Sequence, residues 1–201
     1  MWGCHTSTSR WIRAEFVVQF KPTMFNTNRG DEETKGTGSA PLEPGAAAPL
    51  FTLSDAEAGQ PHYLAKALER GPVLIGIYKS SCEASKTAFP FLQKITQAYP
   101  QLTVWGIAQD SPNVTRSFVR RTGVTFPMLI DDNDYAVSRA YNITATPTLY
   151  LIDRSGTIVW QRMGFQKKSM SELNARIAEL LGVVPVDILV DSDTVPVWVP
   201  G

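Results

Sequence analysis

The segment that most constrains the fold of this chain is the apolar run at residues 73–78, Val-Leu-Ile-Gly-Ile-Tyr. An apolar run without alternating polar residues is typical of a strand that is buried on both faces of a central sheet. A short polar segment then leads to Cys82, after which apolar residues recur every three or four positions up to residue 98, which predicts a helix. The sequence therefore predicts a thiol where a buried strand ends and a helix begins.

The remaining elements follow the order β-α-β-α, an insertion, and then β-β-α. Parallel strands that are joined by helices and closed by a hairpin and a covering helix indicate an α/β protein. We expect a three-layer α/β/α sandwich with a mixed central sheet, an extra N-terminal hairpin and a βα insertion. The predicted strands are 50–53, 73–78, 102–108, 126–130, 148–153 and 157–162. The predicted helices are 63–70, 82–98, 111–123, 135–141 and a last one that opens with a capping box at 169–172 and ends at Gly182.

Composition divides the chain into one domain with a tail on either side. Residues 1–47 comprise a polar N-terminal tail and a linker rich in proline, alanine and glycine, and we expect this part to be disordered in part. Residues 48–182 contain the predicted domain, and residues 183–201 are an extended tail rich in valine and proline.

Charge and residue usage argue against several classes of function. The chain has 201 residues with 19 basic and 19 acidic side chains, so no basic excess points to nucleic acid. Its apolar stretches are too short for a membrane span, and the N-terminus lacks the apolar core of a secretory signal, which favours a cytoplasmic protein. Two cysteines and two histidines without ligand spacing predict no metal site, and we expect no cofactor. Nothing in the sequence predicts an oligomeric state.

Several segments occur in the order and spacing of a known family. They resemble the redoxin (AhpC/TSA) and TlpA-like branch of the thioredoxin superfamily over residues 48–182. The resemblance implies a thioredoxin-like fold, a cis peptide bond before Pro147 in a loop next to Cys82, and a thiol–disulfide oxidoreductase or antioxidant role in cell redox homeostasis. The matching segments are Ala48-Pro49-Leu50-Phe51-Thr52-Leu53, Cys82, Phe89-Pro90-Phe91-Leu92, 106–110, 126–131 and Thr146-Pro147.

The candidate catalytic residues depart from that family's pattern. Ser85 replaces the resolving cysteine, so the motif is Cys-x-x-Ser, and Gly76 stands where thioredoxins carry a buried aspartate. The thiolate is the reactive form of a cysteine, and a helix N-terminus favours negative charge. We therefore expect Cys82 to be the nucleophile and the Ser85 hydroxyl, one turn later, to donate a hydrogen bond to its sulfur.

The candidate substrate-binding residues lie on two separate segments. The resemblance implies that the backbone at Thr146 and Pro147 pairs with an extended substrate as an added strand. Lys79 and Ser81 precede the cysteine and are expected to flank the bound substrate.

Three functions remain open from the sequence. In the first, Cys82 attacks a disulfide-bearing protein, and an outside thiol such as glutathione releases the mixed disulfide, with Cys4 as a less favoured substitute. The second is a peroxide reductase, but Lys79 and Ile75 stand where peroxiredoxins need Thr or Ser and proline. The third is a binding module that keeps the fold without turnover.

Overall fold

The computed structural model describes residues 40–189 and 194–201. Within these ranges the helices are α1 (Leu64–Arg70), α2 (Glu83–Ala98), α3 (Pro112–Thr122), α4 (Ala136–Ala140) and α5 (Lys167–Leu181). The strands are β1 (Thr52–Ser54), β2 (Pro61–Tyr63), β3 (Val73–Tyr78), β4 (Thr103–Ala108), β5 (Met128–Ile130), β6 (Thr148–Ile152), β7 (Ile158–Met163), β8 (Phe165–Gln166) and β9 (Trp198–Val199).

A five-stranded sheet in the order β5-β4-β3-β6-β7 forms the middle layer. The β3/β4 and β4/β5 pairs are parallel, whereas β3/β6 and β6/β7 are antiparallel, so the sheet is mixed as predicted. All six residues of the central strand β3 are buried, as its unbroken apolar sequence predicts. Strands β1 and β2 form the extra N-terminal hairpin.

Alternate residues of β3 point into two separate cores, one on each face of the sheet. Leu74 and Tyr78 belong to the core beneath α2, α3 and α5. Ile75 and Ile77 belong to the core beneath α1 and α4. Helices therefore cover both faces, which confirms the predicted three-layer arrangement.

Two facing glycines let α2 approach the sheet closely. Gly76 of β3 pairs with Gly106 of β4 in the parallel register. A Cβ at Gly76 would lie 3.4 Å from the Phe89 ring, and a Cβ at Gly106 would lie 3.0 Å from that ring and 2.6 Å from Met128. A side chain at either position would crowd Phe89 of this helix, so an aspartate at 76 would require the neighbouring side chains to shift.

Most element boundaries lie within one or two residues of the sequence prediction. The first strand lies at 52–54 instead of 50–53, where Thr52 pairs with Tyr63 and Ser54 pairs with Pro61 of β2. The capping box at 169–172 is wrong, since α5 begins at Lys167, directly after β8. Ser169 is buried inside α5, where its hydroxyl donates to the Gln166 side chain at 3.0 Å.

Residues 40–47 and the described residues of 183–201, on either side of the predicted domain, contact it. In the predicted linker, the Gly45 N–H donates to the Ile158 carbonyl at 2.8 Å, and Leu42 packs against the core beneath α1. In the predicted C-terminal tail, Ile188 is buried and β9 pairs with β8. Among the described residues, no helix is both long and apolar enough to cross a bilayer.

Candidate active site

Cys82 lies at the end of the segment that connects the central strand β3 to α2. It is the N-cap residue of that helix, with extended backbone angles of φ −78° and ψ 126°. Its N–H donates to the Lys79 carbonyl at 3.1 Å, and the Ser80 N–H donates to the Asp110 carboxylate at 2.6 Å. The side chain is partly exposed to solvent. The loop before the cysteine is therefore fixed from within and from the end of β4.

The cis-proline loop lies directly against the sulfur. The Thr146–Pro147 peptide bond is cis, and the Cys82 thiol donates to the Thr146 carbonyl oxygen across 2.9 Å. Pro147 is buried, and its carbonyl accepts the Gly164 N–H at 2.8 Å. The structure thus brings together Cys82, Thr146 and Pro147, three of the six residues predicted for the site.

Ser85 is near the cysteine in sequence, but its hydroxyl forms no hydrogen bond with the sulfur. Its side chain is fully buried, and its hydroxyl has no hydrogen-bond partner among the described residues. The predicted hydrogen bond to Cys82 is therefore wrong. The prediction placed both residues on one helical face, whereas Cys82 precedes the helix with extended backbone, and its thiol points to Thr146 instead.

Lys79 and Ser81 are exposed, as expected of residues that flank a substrate. Lys79 also lines an open groove of about 630 Å³ that runs beside the segment leading into the cis-proline loop. The other lining residues are Gln109, Tyr135, Ser138, Arg139, Asn142, Ile143 and Thr144.

One wall of this groove is α4, which a buried carboxylate holds in place. Asp131 accepts the N–H of Val137 at 3.1 Å and both the N–H and the hydroxyl of Ser138, at 2.8 and 2.7 Å. On the solvent side of α4, Arg139 forms an ion pair with Asp134, and the guanidinium lowers the pKa of that carboxyl. The groove beside Lys79 therefore contains a second cation that is already paired.

The other candidate groups are remote from the sulfur or fall outside the described residues. His62 lies 3.1 Å from Asp55 and packs edge-on against Trp105, so it forms no pair with Cys82. Burial alone would raise the pKa of Asp55, but hydrogen bonds from Ala58 N–H, the His62 ring and Glu57 N–H together lower it. Cys4 lies outside the described residues, and within them Cys82 is the free cysteine.

Sequence reasoning did not identify two contacts of this site. Asp110 anchors the loop before Cys82, and its position could have been inferred, because the carboxyl ends of the parallel neighbours β3 and β4 meet at one edge. Gly201 lies next to the Thr146 carbonyl, since a Cβ on Gly201 would be 2.9 Å from that oxygen. No local pattern in the sequence signals this second contact.

Three comparisons with known proteins agree with this geometry. Residues 44–161 match the AhpC/TSA family. The thiol-disulfide oxidoreductase ResA of Geobacillus thermodenitrificans is 30% identical over 118 residues, a match that covers 57% of this chain and 66% of that protein, just under two thirds of its length. The thioredoxin domain of a thiol-disulfide oxidoreductase from Bacteroides vulgatus is 20% identical, with a TM-score of 0.60 over 68% of this chain and 98% of that one.

A protein with the same fold is named for a different activity. Peroxidoxin BcpB from Mycobacterium tuberculosis is 17% identical, with a TM-score of 0.60 over 71% of this chain and 99% of that one. The fold alone therefore does not separate disulfide chemistry from peroxide chemistry. The family match itself covers more than half of the chain and includes Cys82 and the cis-proline loop. This protein therefore belongs to the AhpC/TSA family.

Proposed function

We propose that this protein exchanges thiols and disulfides through the single sulfur of Cys82. The observation that carries the proposal is the 2.9 Å contact between that sulfur and the Thr146 carbonyl, at the start of a helix and on a partly exposed side chain. The name of the similar ResA protein, a thiol-disulfide oxidoreductase, supports the same chemistry.

The reaction at Cys82 has two steps, both of which are displacements at sulfur. In the first step, the Cys82 thiolate attacks one sulfur of a substrate disulfide, forms a mixed disulfide, and expels the other substrate sulfur as a thiolate. In the second step, an outside thiolate attacks the mixed disulfide, takes the substrate sulfur into a new disulfide, and releases Cys82. These two steps leave the substrate with one free thiolate and one sulfur bonded to the outside thiol. A second outside thiolate then displaces that sulfur, so the substrate disulfide is reduced to two thiols while two outside thiols are oxidised to one disulfide.

The contact with Thr146 connects loss of the thiol proton with substrate binding. A thiol donates its proton to the Thr146 carbonyl, whereas a thiolate has none to donate. Loss of the proton therefore frees that carbonyl to accept a backbone N–H from an extended substrate. Cys82 is the N-cap residue of α2, and the positive end of the helix dipole favours a negative charge at this position.

The outside thiol is required because position 85 supplies a hydroxyl, which cannot resolve a mixed disulfide. Ser85 is also buried, so it does not contact the substrate in this arrangement. The substrate class is a disulfide-bearing protein or a small disulfide, and the reductant is a small thiol such as glutathione. The cytoplasmic location stays a prediction from the sequence.

Turnover of a small disulfide with glutathione and glutathione reductase tests the proposal, with NADPH oxidation as the readout. We expect catalysis by the wild type and by Cys4→Ser, and none by Cys82→Ser. Since the two serine variants each remove one of the chain's two cysteines, each is the matched control of the other. Equal loss in both variants would contradict a single-cysteine route. Faster loss of the Cys82 thiol with hydrogen peroxide than with disulfides would assign the protein to the peroxide reductases, and no reaction with either would make it a binding module.

A further inference from the structure

Residues 194–201, here called the C-terminal segment, lie beside the candidate active site. Its strand β9 pairs with β8 in antiparallel register, with Phe165 opposite Val199, and the Lys167 N–H donates to the Val197 carbonyl at 2.9 Å. Strand β8 follows Gly164, whose N–H donates to the Pro147 carbonyl. The C-terminal segment is thus one strand removed from the cis-proline loop.

Beyond β9, the C-terminal segment reaches the loop itself. A Cβ at Gly201 would lie 2.9 Å from the Thr146 oxygen and 3.3 Å from the Ala145 Cβ. The Cys82 sulfur lies 2.9 Å from the same Thr146 oxygen. Gly201 and the reactive sulfur therefore flank one carbonyl, the group that we assign to substrate pairing.

Glycine at 164 and at 201 makes this close approach possible. Gly164 has a φ of +68°, and a Cβ there would lie 3.0 Å from the Val199 carbonyl oxygen and 3.0 Å from the Gly201 nitrogen. Distances of this size are shorter than normal van der Waals contacts. A side chain at either position would separate the C-terminal segment from the loop.

We propose that the C-terminal segment is an autoinhibitory strand that occupies the place beside Thr146 where an extended substrate would pair. This inference rests on the proposed function, because it concerns access to the same sulfur. Added strands bind chiefly through backbone hydrogen bonds. An extended disulfide-bearing polypeptide would pair with Thr146 through backbone hydrogen bonds of this kind. It would have to displace the C-terminal segment first.

The C-terminal segment makes few contacts that oppose its displacement. Val195 and Val199 are partly buried against the core beneath α2. Between them, Val197 and Trp198 are 73% and 61% exposed. Few buried apolar contacts and a short backbone ladder are features of segments that open locally while the rest of a domain stays folded.

The test measures the rate at which iodoacetamide modifies Cys82 in the 201-residue chain, with Cys4→Ser as the background. Gly201→Val places a side chain against the Thr146 carbonyl, and Val199→Asp removes the apolar contact of β9. Val197→Thr is the matched control, since it changes an exposed side chain of the same segment, directly before β9. Hydrogen exchange at the Lys167 amide reports whether the segment has detached, because its partner is the Val197 carbonyl.

We expect Gly201→Val and Val199→Asp to accelerate both the iodoacetamide modification of Cys82 and the hydrogen exchange of the Lys167 amide. We expect Val197→Thr to change neither rate. Because the Cys82 side chain is partly exposed even with the segment in place, the closed form also reacts, and a segment that is closed ten times as often as it is open gives at most about a tenfold increase. Faster exchange without faster modification would overturn the proposal. Failure of both variants to detach the segment would overturn it too, since the strand would then be a permanent wall of the domain.

These outcomes are distinguishable from failure of the proposed function, because modification by iodoacetamide needs no disulfide exchange. If iodoacetamide modification is accelerated but the protein forms no mixed disulfide, the autoinhibitory strand is supported and the proposed thiol–disulfide exchange is refuted. If Gly201→Val and the wild type show the same thiol–disulfide exchange activity and the same rate of iodoacetamide modification, the autoinhibitory strand is refuted and the proposed function is retained.

Discussion

Replacement of the serine that stands in the place of a resolving cysteine should stabilise the protein. The Ser85 side chain is fully buried, and its hydroxyl has no partner among the described residues. A buried hydroxyl without a hydrogen bond costs about 1–3 kcal/mol. Serine is also a poorer helix former than alanine, by roughly 0.5 kcal/mol. Because the small void left by the oxygen offsets part of the gain, we expect Ser85→Ala to raise the free energy of unfolding by about 1–2 kcal/mol.

Chemical denaturation followed by circular dichroism measures this change directly. Ser169→Ala is the matched control, because Ser169 is also a buried helical serine but donates to Gln166 at 3.0 Å. We expect the control to lose roughly 0.5–1.5 kcal/mol, the net value of one hydrogen bond. The two substitutions are chemically identical and should have opposite signs.

A loss of stability in Ser85→Ala would refute this reasoning, since it would mean that the hydroxyl is bonded in solution. The same variant also tests for a role in the chemistry. Since the hydroxyl forms no hydrogen bond with the sulfur, Cys82 should react with disulfides at the wild-type rate in Ser85→Ala.

Three further predictions concern the scaffold. Gly106→Ala should lose about 1–3 kcal/mol in denaturant unfolding, because its Cβ would lie 2.6 Å from the buried Met128 side chain. Asp131→Ala should lose roughly 2–4 kcal/mol and should loosen α4 in hydrogen exchange, since two N–H groups and the Ser138 hydroxyl lose their acceptor. Asp153→Asn should flatten the dependence of unfolding free energy on pH below the ordinary aspartate pKa of 3.8, because burial alone would raise the pKa of Asp153 but its hydrogen bonds lower it.

The sign of the pH effect follows from the lowered pKa. A carboxyl whose folded pKa lies below 3.8 contributes stability that is fully present above that value and is lost as the pH falls through the folded pKa. Wild-type stability should therefore fall more steeply below pH 3.8 than that of Asp153→Asn. Parallel curves would contradict the assignment. For the other two variants, stability within about 0.5 kcal/mol of the wild type would show that the packing or the capping contributes little.

The central strand β3 and helix α3 were predictable from local sequence. Strand β3 has the predicted bounds because its residues are buried on both faces, and no other element competes for that pattern. Helix α3 follows Ser111 as N-cap and ends before Gly123 at φ +70°, where proline and glycine fix the ends. The start of α5 was mispredicted, since a strand that leads directly into the helix overrides a capping pattern inside it.

The candidate site was only partly predictable, because its contacts join distant parts of the chain. The resemblance to the redoxin and TlpA-like branch placed Thr146 next to Cys82, and no periodicity in the sequence could have done so. The buried Ser85 hydroxyl lacks a partner because the Cys82 sulfur points to Thr146 instead. The direction of the sulfur is set by the extended backbone angles of Cys82, the N-cap residue. The approach of Gly201 to Thr146 is a tertiary contact with no local signal.

The central claim is that one sulfur acts without a partner sulfur, and a trapping experiment tests it most directly. The reduced full-length protein is mixed with an excess of a peptide disulfide, quenched in acid and analysed by mass spectrometry. We predict one peptide adduct per chain, on Cys82, that persists until glutathione is added and then disappears. A disulfide between Cys4 and Cys82, or an adduct that forms equally well in Cys82→Ser, would contradict the account.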